Sequence, residues 1–359
     1  MAYIPTTTHV TLLATLRRER TLPVAGEVVV QPNQRVEAAD VVAQALIADA
    51  HRLVDVARAL DVPADRVAAY MLKQDGEPVK KGEPIARRKT ALGLGSKTVH
   101  SPVDGYLMFV RGGKAVLAAV AKAFELRAGI PAVVAAIERE RGVVIETTGA
   151  LLEGVWGNGQ EEFAVMNMVG SGPAAALLSE QVDVGMRSAI LTVGTLQDDA
   201  AFRRLSEMSV RGLIVGSLNS ALIPAVMKLE IPVLVTDGFG AQGFSTPAYN
   251  LLVTNAGREV WLNARVWNRF AGGRPEVIIP LASPGQSPAL PVDGEALAAG
   301  KRVRVRRGPE AGVVGAIHAL SEQSVRLPNG VRARVAHIES EEAPGQAFTV
   351  PFANLEILE

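Results

Sequence analysis

Four short turns carry the residue types in this chain that are able to do chemistry: Gly170-Ser171-Gly172, Gly194-Thr195, Gly216-Ser217 and Thr236-Asp237-Gly238. Each follows a run rich in Val, Ile, Leu or Met and offers small, hydroxyl-bearing groups beside open backbone N–H groups. Where such turns end parallel strands, they line the sheet edge at which open α/β folds bind ligands. Helix N-termini at that edge present N–H groups and the positive end of a dipole to an anion. Phosphate or carboxylate binding by Gly170, Ser171, Gly172, Thr195, Gly216, Ser217, Thr236, Asp237 and Gly238 is therefore open. So is the plainer reading, ordinary strand-to-helix turns with Thr195 and Ser217 as helix caps. Gly170-Ser171-Gly172 runs into Pro173 and lacks the third glycine of a dinucleotide fingerprint. No acid closes the following strand, and the phosphate-loop lysine is missing.

Asp237 is the one acid at a strand end, with the chemistry to hold Mg2+ or act as a base. No histidine, cysteine or second acid at a neighbouring strand end completes a catalytic set. Asp198 and Asp199 fall in the first turn of an expected helix, where carboxylates favour the dipole. His9, His51, His100, His318 and His337 lack metal-ligand spacing. With no cysteine there are no disulfides, thiolate nucleophiles or Cys-zinc sites, a composition that fits the cytoplasm. No catalytic residue, metal site or cofactor is expected.

The elements that position these turns alternate. Phe163 to Val169, Ser188 to Val193, Gly212 to Val215 and Ile231 to Val235 are expected strands, with Leu251 to Val253 and Val260 to Leu262 closing the set. Helices are expected over Ala174 to Gln181, from Thr195 through Met208, and from Ser217 through Leu229. Apolar strands alternating with amphipathic helices predict a parallel, Rossmann-like α/β domain over 162–274. Before it, 128–161 reads as a small β segment, with an Asn158-Gly159 turn and Trp156 at its shoulder. Trp156 is either a binding platform or a residue packed beneath that turn. After it, 275–294 holds Pro275, Pro280, Pro284, Pro288 and Pro291 and reads as a stiff Pro-rich linker.

The first 120 residues contain a repeat. Val36 to Ala43 aligns with Val79 to Ala86, and Pro23 to Val28 with Pro102 to Leu107. Each paired glycine, Gly26 and Gly105, sits where a strand turns or another backbone comes close. Between the halves, Val42, Leu46, Ala50, Leu53 and Val56 follow a helical period, predicting a helical insertion over about 38–71. Asp61 to Asp65 reads as a break and a new helix start, with Asp61 as N-cap candidate and Pro63 near N1. That insertion would be a docking arm or a lid. Gly76 to Ala86 and Ser101 to Gly105 resemble the lipoyl/biotinyl-like barrel-sandwich hybrid, which implies such a module over 1–127. The first half departs from the pattern at Asn33 and Ala39, and Lys89 and Lys97 lack the context of the family's modified lysine. The resemblance therefore implies an unmodified relative used for structure or docking.

From Gly300 to Ile317 the chain reads strand, Gly308-Pro309 turn, strand. The pattern G-x-x-V-x-V-x-x-G-P-x-x-G-x-x-G-x-I resembles the KOW motif, which implies an SH3-like barrel over 295–359 that contacts RNA or protein. Whole, the chain resembles bacterial KOW-containing proteins, a likeness that implies no activity. A hairpin is expected to turn at Asn329-Gly330. Arg302, Arg304, Arg306, Arg307, Arg326, Arg332 and Arg334 make this module locally basic, and alternation places many of them toward solvent. Glu310, Glu339, Glu341, Glu342 and Glu356 oppose them. Aromatic stacking partners are nearly absent.

Lys plus Arg and Asp plus Glu number 37 each, so the chain is no general polyanion binder. Aromatics are 4% of the residues, so cores must be built from Ala, Val, Leu and Ile, and no apolar run is long enough for a membrane span. The reading is a multidomain α/β plus β protein that docks protein partners in the cytoplasm without catalysis. Its alternatives are a nucleotide- or small-anion-binding enzyme or sensor at the α/β edge, and an RNA- or ribosome-associated factor working through Arg302, Arg304, Arg306, Arg307, Arg332 and Arg334.

Overall fold

Runs of β-branched residues bracketed by glycine shape most of the chain: strands make up 47% of it and helices 13%. The protein is mostly β. The computed structural model describes residues 10–48, 50–89, 95–119, 121–182, 184–268, 273–282, 296–341 and 343–358. They form several sheets, none closed into a barrel.

The largest sheet has eleven strands. At its centre Glu161–Met168, Ile190–Leu196, Gly212–Leu218 and Val233–Phe239 lie side by side and parallel, as the alternation predicts. Ile190–Leu196 and Gly212–Leu218 are buried along their whole length, which is why both are rich in Val, Ile and Leu. Helix Asp199–Ser206 and the short helix Ile223–Val226 cover one face, contributing Phe202, Leu205 and Val226 to its core. Helix Thr246–Thr254 covers the other with Ala248, Leu251 and Leu252, so Leu251 to Val253 is helix and not the expected strand.

Several expectations need correction here. Ala174 to Gln181 is not a helix: Ala176 makes an isolated parallel bridge to Thr195, and only Ser179–Gln181 turns as 3-10. Helix caps are supplied by Asp198, which accepts from Ala200 N at 2.9 Å, and by Asn219, not by Thr195 or Ser217. The latter two lie within strands. Part of the expected linker is strand: Glu276–Pro280 runs through the interior of the large sheet between Glu259–Asn263 and Gly142–Glu153. Val277, Ile278 and Ile279 are buried there, so apolar burial outweighs the proline signal around them. The linker positions 283–294 lie outside the described residues. Gly142–Glu153, from the small β segment, pairs with both Glu276–Pro280 and Val10–Thr21, so the boundaries drawn at 128, 162 and 275 run through one hydrogen-bonded sheet.

The insertion over 38–71 also departs from the expected helices. It is two strands, Val41–Ala48 and His51–Asp55, followed by the one-turn helix Val56–Leu60 and a 3-10 turn Ala64–Tyr70. Leu46 and Leu53, on the expected apolar stripe, are exposed. Asp55 is the N-cap, accepting from Arg58 N at 3.0 Å, whereas Asp61 ends that helix in the left-handed region. Both strands pair with one returning segment, Lys114–Ala119 and Ala121–Arg127. The register does not slip between the halves: Ile47 faces Lys122 and Ala48 faces Ala121, then His51 faces Ala118 and Asp55 faces Lys114. One two-stranded ribbon thus leads from the body, whose core holds Ala43, Ala45 and Leu126, to an outboard lobe. That lobe has a separate core of Val56, Leu60, Ile85, Leu107 and Leu117.

The repeat appears as matching turns. Gln34 N donates to Gln31 O, and Gln31 N to the Gln34 side chain; Glu77 N donates to Gln74 O, and Gln74 N to the Glu77 side chain. Glu37 with Asp40 and Lys80 with Glu83 repeat the same exchange six residues on. Gly26 and Gly105 take equivalent places where a Cβ would meet Gln44 O and Ala118 O.

Residues 296–358 contain a five-stranded antiparallel sheet, with Arg302–Val305 between Val314–Leu320 and Leu355–Ile357. The small hairpin turns at Asn329-Gly330 as expected, with Leu327 N bonded to Val331 O at 2.8 Å. No helix among the described residues is long and apolar enough to cross a membrane.

Candidate functional site

The parallel strands do bring the four candidate turns to one edge, and the chain itself then closes over that edge. After Asp237 the segment 238–245 folds back across the strand ends. Gly240 N donates to Leu218 O at 3.1 Å and Phe244 N to Pro173 O at 2.9 Å. Ser217 Oγ lies within hydrogen-bonding reach of the carbonyls of Gly240, at 3.0 Å, and of Gln242. Thr195 N and O bond to Ala175 O and Leu177 N, each at 3.0 Å. The glycines serve this closure. A Cβ would stand 2.4 Å from Pro173 O at Gly194, 2.5 Å from Gly194 O at Gly216, and 2.1 Å from Pro173 O at Gly243. Backbone packs on backbone where a bound phosphate would need open N–H groups. Gly170 and Gly172 turn with positive φ, Gly172 N donates to Tyr249 Oη at 2.9 Å, and Gly170, Ser171 and Gly238 stay at the periphery.

Asp237 is the centre of the edge. Its Oδ1 accepts from Ser245 N at 3.1 Å and its Oδ2 from Thr236 Oγ1 at 2.5 Å. Its decisive partner comes from the C-terminal sheet: Arg304 Nη1 donates to Asp237 Oδ1. The other arm of the same guanidinium reaches Glu356 Oε2, from Nη2 at 2.6 Å and from Nε at 3.2 Å. Arg306 Nη1 stands 3.8 Å from Glu356 Oε1. Arg304 is only 4% exposed, and Asp237 and Glu356 are buried with it. Beside this cluster Gly312, in the turn after Arg302–Val305, abuts Gln242: a Cβ there would lie 2.8 Å from Gln242 Nε2. The C-terminal sheet is seated on the strand-end segment by a buried ion cluster and a close turn contact.

This revises the expected solvent-facing arginine row. Val303, Arg304 and Val305 are all buried, because Arg304 faces a second surface instead of water. Arg302 pairs with Glu341 through two bonds of 2.6 and 2.7 Å. Arg306, Arg307, Arg326, Arg332 and Arg334 are exposed. Of these, Arg332 donates to Ser324 O at 3.2 Å, and Arg334 donates to Ser321 O and stacks over Phe352 at 4.9 Å. Trp156 is packed rather than presented, edge-on to Phe239 at 6.0 Å and against the α/β core. Asn158 is buried and tied to the chain at Ile231 O and Val233 N.

Sequence reasoning named Asp237 and Arg304 separately and missed that they meet. The one available signal was Glu356, an acid between Leu355 and Ile357 that mirrors Arg304 between two valines. Among the described residues no group of three or more His, Asp or Glu side chains is placed to hold a metal ion. No family model matches the chain, and no curated protein matches it.

Proposed function

We propose that the chain is a non-enzymatic docking protein of the cytoplasm that works through protein contacts, its outboard lobe being the part that engages the partner. One observation carries this reading, the outer face of the sheet formed by His51–Asp55, Lys114–Ala119, Gly105–Arg111 and Pro78–Val79. Pairing sets Leu53, Val116 and Phe109 in one row across that face. Leu53 is 63% exposed and Phe109 39%. Asp55, Lys114 and Arg111 form the adjoining row, with Arg111 stacked on Phe109 at 5.9 Å. That row carries one net positive charge, and Asp55 already spends an oxygen on the helix cap.

An apolar strip beside a basic rim fits a partner segment that presents apolar side chains flanked by carboxylates. The implied relationship of this lobe to unmodified barrel-sandwich modules, and of the C-terminal sheet to KOW modules, agrees with an adaptor role.

Random-peptide display against the full chain tests it. Selected peptides should pair apolar residues with Asp or Glu and lose at least tenfold in affinity against Leu53→Asp and against Lys114→Glu. Peptides that bind those variants as well as the parent, or a failure to enrich any sequence, overturn the reading. Self-association abolished by Leu53→Asp also overturns it, by giving the strip to a second copy.

A further inference from the structure

The chain as a whole is neutral, but its charge is unevenly spread. Residues 51–119, the outboard lobe, hold twelve Lys and Arg against seven Asp and Glu, and the rest of the chain carries the opposite excess. Such asymmetry within one chain points to a polyanionic partner for its basic part.

The hairpin Pro84–Lys89 and Ser96–His100 concentrates the excess. Its inner face carries Ala86 and Val99, buried in the lobe core, and farther out Arg88 opposite Lys97. Those two cations share one carboxylate, Asp61, at 4.0 and 3.6 Å. Alternation puts Arg87, Lys89, Ser96, Thr98 and His100 on the other face, with Arg87 opposite Thr98 and Lys89 opposite Ser96. No acid lies on that face, and Arg87, Lys89, Ser96 and His100 are exposed. Neither Arg87 nor Lys89 is paired with a carboxylate among the described residues.

At the base of the hairpin Lys80 and Lys81 are exposed too. The acids beside them are Glu83, paired with Lys73 at 2.8 Å, and Asp104, which accepts from Lys81 N at 2.9 Å. With Glu77 near Lys73 counted as a fourth acid, the seven cations of this side keep a surplus of three. The surplus survives local pairing.

A two-stranded ribbon with one face packed on its own protein and the other exposed fits the major groove of B-form DNA, about 12 Å wide. Arg87 and Lys89 project from that face about 7 Å apart, within reach of successive phosphates. Ser96, Thr98 and His100 add hydrogen-bonding groups of the kind that meet phosphates and base edges. The face has no aromatic ring on which single-stranded bases could stack. The deep, narrow major groove of duplex RNA does not admit a ribbon.

We propose that the outboard lobe binds double-stranded DNA through the outer face of this ribbon. That face shares no residue with the Leu53 row and stands or falls separately from the docking reading.

Fluorescence anisotropy of a labelled duplex, titrated with full-length protein at about 50 mM salt, tests it where phosphate contacts are strong. The duplex should bind saturably, and affinity should fall steeply as salt rises. The double variant Arg87→Gln, Lys89→Gln should lose at least tenfold in affinity. It should also flatten the slope of log affinity against log salt by about 0.9 for each phosphate contact removed. Both side chains are exposed, so the variant should keep the parent's melting temperature. Leu53→Asp should bind the duplex as the parent does. Single-stranded DNA and duplex RNA should bind at least tenfold more weakly. No saturable binding overturns the proposal, as does affinity unchanged in the double variant. Equal binding by duplex RNA, or displacement of the duplex by vesicles rich in anionic lipid, overturns it too, by showing a surface that takes any polyanion.

Discussion

Arg304 and Asp237, 67 residues apart in the chain, share a buried hydrogen bond that fastens the C-terminal sheet to the end of a central parallel strand. A guanidinium held between two buried carboxylates has its charge balanced only while all three remain. Removing it leaves two acids without their cation in a region closed to water.

Arg304→Met should therefore cost about 3–5 kcal/mol, the usual penalty for breaking a buried ion pair by deleting one partner. Denaturant melts followed by a probe in residues 296–358 would read this directly. Combining Arg304→Met with Asp237→Asn and Glu356→Gln should restore part of the loss, since no uncompensated charge then stays buried.

The closure of the strand-end edge depends on backbones in contact. Gly243→Ala would place its methyl 2.1 Å from Pro173 O. The expected cost is about 1–3 kcal/mol, as for overpacking elsewhere, seen as a lower melting temperature and faster amide exchange at Phe244. An unchanged exchange rate would show that the segment does not pack as described.

The repeat makes a paired prediction. Asn33 holds φ 63° and Gly76 holds φ 86° at equivalent turns. Asn33→Gly should be tolerated, whereas Asn33→Val and Gly76→Val should each lose about 1–2 kcal/mol, the cost of forcing a branched side chain into the left-handed region. Thermal melts of the three variants check it.

Lys73 and Glu83 pair at 2.8 Å on the outboard lobe. The Lys73 ammonium, helped by Lys80 N–H, lowers the Glu83 carboxyl below its ordinary 4.5. Glu83 in turn raises Lys73 above 10.5. A lowered acid stabilises the fold above its unfolded value and gives that up as pH falls through the folded one. A raised lysine gives up its share as pH rises through its folded value. Melting temperature should therefore decline below about pH 4.5 and again above about pH 10.5 by less in Glu83→Gln than in the parent. Parallel curves would show that the pair contributes nothing.

The sequence makes the parallel strands legible because buried runs such as Leu213 to Val215 have one environment on both faces. The matched turns at Glu37 and Lys80 are legible too, since a side chain exchanging bonds with the backbone three residues away is local chemistry. What escapes is whatever depends on distant surfaces. Alternation places Arg304 toward water, and only the arrival of Asp237 and Glu356 makes burial affordable. Val42, Leu46 and Leu53 satisfy a helical period, yet the ladder with Lys114–Ala119 and Ala121–Arg127 decides their conformation through contacts no local window contains.

The ribbon joining body and lobe also sets a rule of phase. Ala43 and Ala45 point into the body on one side of the strand, while Val54 points into the lobe on the other. The two cores thus lie on opposite sides of a single unslipped ladder, and Leu53 continues the side that is buried further back. One residue inserted in each strand of the ribbon, between Ala48 and His51 and between Ala118 and Ala121, would turn the lobe inside out relative to the body, exchanging the roles of Leu53 and Val54. Two residues inserted in each strand would keep the phase and merely lengthen the arm. Viable natural or engineered changes in this stretch should therefore come in even steps.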